Sequence, residues 1–235
     1  MKRKPKAQLF DDDDRQEILD LLPVAVSEIR VQIRDATRVS VFANDDFLLG
    51  LPVHVCNRLG LVKGCIIDTH LFRQIEGEVQ RDAIRSWLLG LLAKKPYARS
   101  QLVRKCREAG YDMQVTDAIL DDFASRKWID DEAFASSFAR DKATFQRWGP
   151  AKIRQQLRLL GIPDRVAEDA VKQNLPAEDQ RVVIRNLVMK RKLHFLREEN
   201  PQKRKKKIVD YLLRKGYDAD NIFGSIDAVI RELNT

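Results

Sequence analysis

Apolar and polar positions follow one arrangement three times in the second half of the chain. In each copy, apolar residues stand eight and four positions before a glycine, and an apolar or aromatic residue follows it directly. The glycines are Gly110, Gly161 and Gly216. Spacings of four place the apolar residues on one helix face, and a glycine readily takes the left-handed conformation that ends a helix. A second apolar pair follows each glycine, so the pattern predicts helix, glycine stop and helix in three tandem units.

A further helix precedes each pair. Asp130 is the predicted N-cap of this helix in the middle unit, and Ser100 and Asp164 are predicted caps elsewhere in the repeats. The resulting units span 82–128, 129–176 and 178–235. We therefore expect a mainly α fold in which tandem three-helix repeats form an elongated, curved array, because each unit is too small to bury its apolar face alone.

Residues 28–80 have a different pattern of apolar and polar positions. Ile29, Val31 and Ile33 alternate with polar residues, the stretch around Val39 and Val41 does the same, and Asn44-Asp45-Asp46 is typical of a turn. Alternation with period two predicts a small, half-buried β-hairpin or meander, followed by short helices near 52–59 and from Asp68. Residues 1–27 are expected to be a mostly disordered tail with a short helix, because they begin with a basic run and four consecutive aspartates.

The distribution of charge along the chain indicates what kind of partner it binds. The chain has a formal net charge of +8 and a pI of about 9.4. The basic excess lies on the predicted repeats and is largest in the last one, at 190–192 and 203–207. A basic surface of this kind indicates a polyanionic or acidic partner, although any single cluster can equally be a solvated helix face.

The sequence offers little for catalysis. His54, His70 and His194 are scattered, the three cysteines have no zinc-ligand spacing, and no glycine-rich phosphate loop is present. We therefore expect no enzyme activity, no metal and no cofactor. The odd cysteine count favours a reducing, cytoplasmic location, and no apolar run is long enough for a membrane span.

Specific residues of the first two units are similar to a known family. The run from Trp128 to Ala135, with Arg140, Gly149 and Gly161-Ile162, resembles the middle repeat of RecX proteins. The stretch 99–102 with Gly110-Tyr111 resembles the family's opening repeat, except that Gln101 stands where the family usually has Glu. The resemblance covers about 82–174 and is weaker over 178–235. The hairpin at 28–50 resembles an N-terminal extension seen in some members.

The resemblance implies a function. RecX proteins are non-enzymatic modulators of the bacterial recombinase RecA, chiefly negative regulators, which are thought to lie in the groove of the RecA–DNA filament. By this resemblance the expected partner is the RecA nucleoprotein filament, with suppression of its ATPase, strand-exchange and coprotease activities. Direct contact with single- or double-stranded DNA, no membrane partner and a monomeric state are further expectations.

Helical register selects candidate contact residues. Arg154 and Arg158 are one turn apart on the middle helix of the second unit, and Arg107 holds the position of Arg158 in the first unit. Reversing the charges of Arg154 and Arg158 is expected to weaken partner binding while leaving stability unchanged. The full candidate set is Arg99, Arg104, Arg107, Arg140, Lys152, Arg154, Arg158, Lys205, Lys206 and Lys207.

A second interpretation stays open. Three-helix units also resemble helix-turn-helix modules, and Gln155, Gln156 and Arg158 could read base edges. The alternative is therefore a helical DNA-binding protein, architectural or regulatory, without a recombinase partner.

Overall fold

The structure, a computed structural model, describes residues 12–233, apart from the side chains of residues 12 and 177–179. Residues 1–11, the first part of the predicted tail, lie outside the described residues. The elements in chain order are α1 Asp12–Leu21, β1 Val24–Gln32, β2 Asp35–Ala43, β3 Asp46–Pro52, α2 Val53–Arg58, β4 Ile66–Ile67, α3 Thr69–Leu92, α4 Arg99–Glu108, α5 Met113–Ser125, α6 Asp131–Gln146, α7 Pro150–Leu159, α8 Asp164–Asn174, α9 Ala177–Met189, α10 Lys192–Leu196, α11 Pro201–Lys215 and α12 Ala219–Leu233.

The fold is mainly α with a small N-terminal antiparallel sheet, as the sequence predicted. It divides into two compact units. The first runs to Lys95 and adds Val103–Asp122, and the second comprises Pro96–Leu102 and the chain from Phe123 onward. None of the helices in residues 12–233 combines the length and the apolar character that crossing a bilayer requires.

The sheet of the first unit has the strand order β3-β2-β1-β4. Asn44 and Asp45 form the turn between β2 and β3 with φ values of 50° and 68°, which is the geometry of a tight hairpin turn that Asn and Asp tolerate. Val39 and Val41 are buried, but Ile33 is fully exposed at the tip of the β1–β2 hairpin. The expected half-buried alternation therefore stops short of the tip, because the hairpin extends past the core.

Three predictions for the N-terminal region differ from the structure. Asp13 and Asp14 are helical, in α1, and β1 begins at Val24, four residues before the predicted start of the module. The helix from Asp68 and the opening helix of the first repeat are one continuous helix, α3, of 24 residues. No proline or cap interrupts it near residue 80, and the polar residue Glu78 there forms ion pairs with Arg58 and Arg81.

The three glycine stops have the predicted conformation. Their φ values are 79° at Gly110, 75° at Gly161 and 90° at Gly216. In each case the N–H of the residue after the glycine donates to the carbonyl five residues earlier, as Ile162 does to Leu157 at 3.0 Å. The glycine N–H itself donates to the carbonyl three residues earlier. This paired bonding is the Schellman arrangement, so each helix end satisfies its own carbonyl groups.

In the second unit, the middle helices of successive repeats meet end to end. The Gly149 N–H donates to the Lys215 carbonyl at 2.8 Å, and the Ala151 N–H donates to the Gly216 carbonyl at 3.0 Å. The N-terminus of α7 therefore receives the C-terminus of α11, with the positive end of one helix dipole at the negative end of the other. Glycine is required on both sides, because a Cβ on Gly149 would lie 2.4 Å from the Gly216 carbonyl.

The same kind of junction joins α7 to α4. The Ser100 hydroxyl, at the second residue of α4, donates to the Leu160 carbonyl at the end of α7. Ser100 therefore does not act as an N-cap, contrary to the prediction. The N-terminal N–H of Ala98 is instead satisfied by the Gln101 side chain at 3.0 Å, so Gln101 supplies a reciprocal capping contact despite replacing Glu. Because Ala98 also packs in the second repeat's core, the first turn of α4 belongs to the second unit.

Two apolar clusters fill the second unit. One contains Ile153 and Leu157 of α7 with Ala135 and Ala139 of α6, and the other lies between α9, α11 and α12. The third repeat contains one extra short helix, α10, between its first and middle helices. Its middle helix is capped by its own Asn200, whose side chain accepts from the N–H groups of Gln202 and Lys203.

The cap predicted at Asp130 is present. Its carboxylate accepts from the Ala133 N–H at 2.9 Å, and this hydrogen bond lowers the pKa of Asp130 from its ordinary value of 3.8. The cap predicted at Asp164 is wrong: Asp164 lies inside the first turn of α8, the N-cap is Pro163, and the carboxylate instead pairs with Arg158.

We expect Asp130→Ala to lower the free energy of unfolding by about 1 kcal/mol, because an unsatisfied helix N–H replaces a capped one. Asp130→Asn retains an acceptor but loses the charge. A lowered pKa contributes stability above the ordinary pKa, and this contribution is lost as the pH falls through the lowered value. The stability advantage of wild type over Asp130→Asn should therefore begin to shrink as the pH falls below about 4 and should vanish below the lowered pKa, as measured by thermal unfolding from pH 7 downward. An advantage independent of pH would contradict the charged cap.

Candidate functional site

The structure separates the candidate cations by their partners. Arg107, Arg140 and Lys206 are exposed, and their side chains have no hydrogen bond or ion pair among the described residues. Arg104 is exposed and lies 3.8 Å from Glu108 on its own helix. The backbone N–H of Arg99 donates to Asp131 at 2.9 Å, which ties the start of α4 to the start of α6.

Arg154 is a structural residue rather than a free surface cation. Its side chain is 24% exposed and lies 3.4 Å from Glu168 and 3.3 Å from Asp218. These carboxylates come from α8 and from the residue before α12, so the guanidinium connects three helical segments. That Arg154 and Arg158 reach a partner together stays a prediction; in the structure Arg158 is exposed, whereas Arg154 is held by its two carboxylates.

The remaining predicted cations are mostly paired with acids. Arg158 pairs with Asp164, Lys205 with Asp227 at 2.6 Å, and Lys207 with Glu198. Because a neighbouring carboxylate cancels much of the field of each cation, the basic run at 203–207 is weaker at the surface than its sequence indicates.

Lys152 belongs instead to a group of cations around Trp148, near the α7–α11 junction. The ammonium groups of Lys142 and Lys152 lie 5.1 Å and 4.7 Å from the centre of the Trp148 ring, within the range of cation–π attraction. We call the whole group the junction cluster. It comprises Lys142, Arg147, Lys152, Arg191 and Lys215.

Lys215 shows that these charges influence one another. Burial lowers its pKa below the ordinary value of 10.5, and the positive charges of Lys152 and Arg191 lower it further. Its ammonium donates to the Gln146 carbonyl at 3.1 Å, at the end of α6. In the part of the chain that the structure describes, no member of the junction cluster forms an ion pair with a carboxylate.

Aromatic rings lie among these cations. Arg191 lies 4.7 Å from the centre of the Tyr211 ring. The Tyr217 hydroxyl donates to the Arg147 carbonyl at 3.4 Å, and burial raises the pKa of Tyr217 to about 12. Phe145, in the last turn of α6, is 81% exposed. Cations that have no carboxylate partner and lie next to aromatic rings can bind an anion that also carries a flat ring.

Of the junction cluster, only Lys152 was among the contact residues predicted from the sequence. The others lie at the end of α6, just before α10 and at the end of α11, and no spacing in the sequence connects them. One signal was available: Lys215 directly precedes the third glycine stop, and Gly149 starts the helix that stop contacts. Recognising the pair still required knowing that α7 and α11 meet.

Other candidate chemistry has structural explanations. Cys56 and Cys106 are buried, and burial raises the pKa of both thiols, so neither is an activated nucleophile. His54 lies 2.7 Å from Asp82. Among residues 12–233, no group of three or more His, Cys, Asp or Glu residues is arranged to hold a metal ion.

Two family models match the chain. They describe the second three-helix domain of RecX, over residues 130–171, and the third, over residues 184–224. The curated relative named Regulatory protein RecX from Geobacillus thermodenitrificans is 29% identical over 204 residues, which cover 84% of this chain and 74% of the relative. Its namesake from Leuconostoc mesenteroides subsp. mesenteroides is 26% identical over 207 residues, covering 88% and 76%.

Solved structures have the same fold. A crystal structure of regulatory protein RecX matches with a TM-score of 0.76 at 24% identity, covering 87% of this chain and 99% of that one. The crystal structure of RecX from Lactobacillus salivarius matches with a TM-score of 0.59 at 23% identity, covering 66% and 96%. The two domain matches fall on the repeats that contain Gly161, Gly216 and the end-to-end junction between α7 and α11. The resemblance to RecX proteins found in the sequence is thereby confirmed.

Proposed function

We propose that this chain is a non-enzymatic modulator of the recombinase RecA, mainly a negative regulator. It binds in the groove of the RecA–DNA filament and suppresses the ATPase, strand-exchange and coprotease activities of RecA. The proposal starts from relatives that are named regulatory proteins. It extends that name to a specific partner and to specific activities.

The observation that carries the proposal is the repeated junction in the second unit. Ser100 with Leu160, and Ala151 with Gly216, join successive repeats by the same helix ends. Repeats joined in this way present equivalent side chains at regular positions, which suits a partner that is itself a repeating polymer.

We propose that the exposed, unpaired cations make the direct contacts with the filament. These are Arg140 and Lys206 in the second unit and Arg107 in the first, with Arg104 and Arg158 released from weak surface pairs. Arg99 and Arg154 act as positioning residues, because their contacts hold helices together. Lys152 adds charge at the junction, and Lys205 and Lys207 add less because acids accompany them.

The test is the ATPase activity of RecA on single-stranded DNA, titrated with this protein. We expect inhibition at fewer than one copy per RecA protomer, because a modulator lying in a filament groove covers several protomers. Arg140→Glu combined with Lys206→Glu should raise the half-inhibitory concentration about ten-fold. Lys63→Glu combined with Lys94→Glu, which changes as much charge on exposed residues of the first unit, should not. Unchanged ATPase activity at equimolar protein would exclude the proposal.

The same experiment distinguishes the proposed function from the alternative one. A helical DNA-binding protein without a recombinase partner would bind bare DNA as tightly as RecA-coated DNA. It would affect the ATPase only by competing for free DNA, so excess DNA would abolish the effect. For a modulator of the filament, excess DNA would not remove the inhibition of RecA filaments already formed.

A further inference from the structure

We propose that the junction cluster and Phe145 form a binding site for single-stranded nucleic acid, in which the cations bind backbone phosphates and Phe145 stacks on a base. This site goes beyond the proposed function, because it requires no recombinase. It rests on the charges, contacts and exposure of residues in the second unit.

The first argument is the absence of compensating charge. Lys142, Arg147, Lys152, Arg191 and Lys215 come together without an ion-paired carboxylate among the described residues. Elsewhere in the same unit Arg154, Arg158 and Arg185 each have one. Like charges held close together repel one another, and a bound anion would relieve that repulsion.

The second argument concerns the shape of the anion. Lys142 and Lys152 both lie over the Trp148 ring, and Arg191 lies over Tyr211. These groups are directed along aromatic surfaces and do not converge on one small ion. Cations distributed over the end of α6, the start of α7, the end of α11 and the segment before α10 suit a chain of phosphates.

The third argument favours single strands. Phe145 lies in the last turn of α6, three residues after Lys142 and two before Arg147, and it exposes 81% of its surface, although such a ring is normally buried. An exposed ring among cations can stack on a base only if the base is not already stacked in a duplex. A pocket lined by Arg147, Trp148 and Tyr217, and otherwise by uncharged residues, adjoins the junction cluster. An acidic peptide would use the cations but would leave the Phe145 ring without a function.

The experiment is binding of a fluorescent oligothymidylate of about 15 nucleotides to the full-length protein, followed by anisotropy at several salt concentrations. Lys142→Gln combined with Lys152→Gln should weaken binding at least ten-fold. It should also reduce the slope of log affinity against log salt by about 0.7 for each phosphate that the variant no longer binds. Phe145→Ala should weaken binding about ten-fold with the salt slope unchanged, since stacking releases no counterions.

The matched control is Lys63→Gln combined with Lys94→Gln, which removes two exposed lysines outside the second unit. It should bind as wild type does. Thermal unfolding of every variant distinguishes loss of the site from loss of the fold, because neither Phe145 nor the Lys142 ammonium is buried. Equal weakening by the control and the cluster variants would overturn the site.

Two competitors test the class of ligand. A duplex of the same length that displaces the oligonucleotide as well as a single strand does would overturn the stacking role of Phe145. Polyglutamate that competes equally at the same charge would overturn the assignment to nucleic acid. Neither result bears on inhibition of RecA, which is measured separately, so failure of this site and failure of the proposed function are distinguishable.

Discussion

Gly216→Ala should lower the free energy of unfolding by about 3 kcal/mol or more. The left-handed φ of 90° disfavours any residue with a Cβ, at a cost of about 1 kcal/mol or more. The added Cβ would also lie 2.3 Å from the Cβ of Lys152 and 2.6 Å from its backbone N. Relieving that overlap requires the α7–α11 junction to open, which adds about 1–3 kcal/mol.

Gly110→Ala is the matched control. Gly110 ends α4 with a φ of 79°, but a Cβ built there meets nothing within 4 Å. Gly110→Ala should therefore lower the free energy of unfolding only by the cost of a left-handed conformation at a residue with a Cβ. Chemical denaturation followed by circular dichroism measures both. If the two variants lost equal stability, the left-handed conformation alone would explain the glycines and the junction would contribute nothing.

Arg154→Glu should destabilise the second unit, contrary to what helical register indicates. The substitution would place a third carboxylate between Glu168 and Asp218, both within 3.4 Å of the Arg154 guanidinium in the wild-type protein. Breaking a fully buried ion pair costs about 3–5 kcal/mol. Because the Arg154 side chain is 24% exposed, solvent screens part of the interaction and we expect about 2 kcal/mol.

Arg158→Glu, one turn further along the same helix, should melt close to wild type. Its partner Asp164 is 73% exposed, and exposed pairs contribute little. Thermal unfolding of the two single variants is the measurement. Identical melting temperatures would show that the ion pairs of Arg154 with Glu168 and Asp218 do not contribute to stability. The comparison also matters for binding assays, since weaker RecA inhibition by Arg154→Glu would reflect disturbed packing of the second unit rather than a direct role of Arg154 in binding.

Features that depend on a few consecutive residues could be predicted from the sequence. The glycine stops, the Asp130 cap and the Asn44-Asp45 turn are each made by groups within five residues of one another. Their physical basis is the conformational freedom of glycine or a short side chain that reaches a nearby N–H. The repeated helical spacing indicated three-helix units for the same reason, because one helix face follows from its own residues.

Features that join distant parts of the chain were decided by the tertiary structure. The Ser100 hydroxyl meets a carbonyl 60 residues away, and Arg154 meets Asp218 64 residues away. The sequence shows that these residues are polar but not which partner neutralises them. For the same reason the basic run at 203–207 indicated more surface charge than remains after pairing, while the junction cluster was not predicted.

By itself, the sequence of this protein determined where its helices stop, which faces are apolar and that the units repeat, since those properties follow from local backbone preference and periodicity. Only the tertiary structure decided that the glycines Gly149 and Gly216 also permit two helix ends to touch. It likewise decided which cations are structural and which remain available to a partner. Both depend on distances between groups far apart in the chain, and those distances exist only once the repeats have packed against one another.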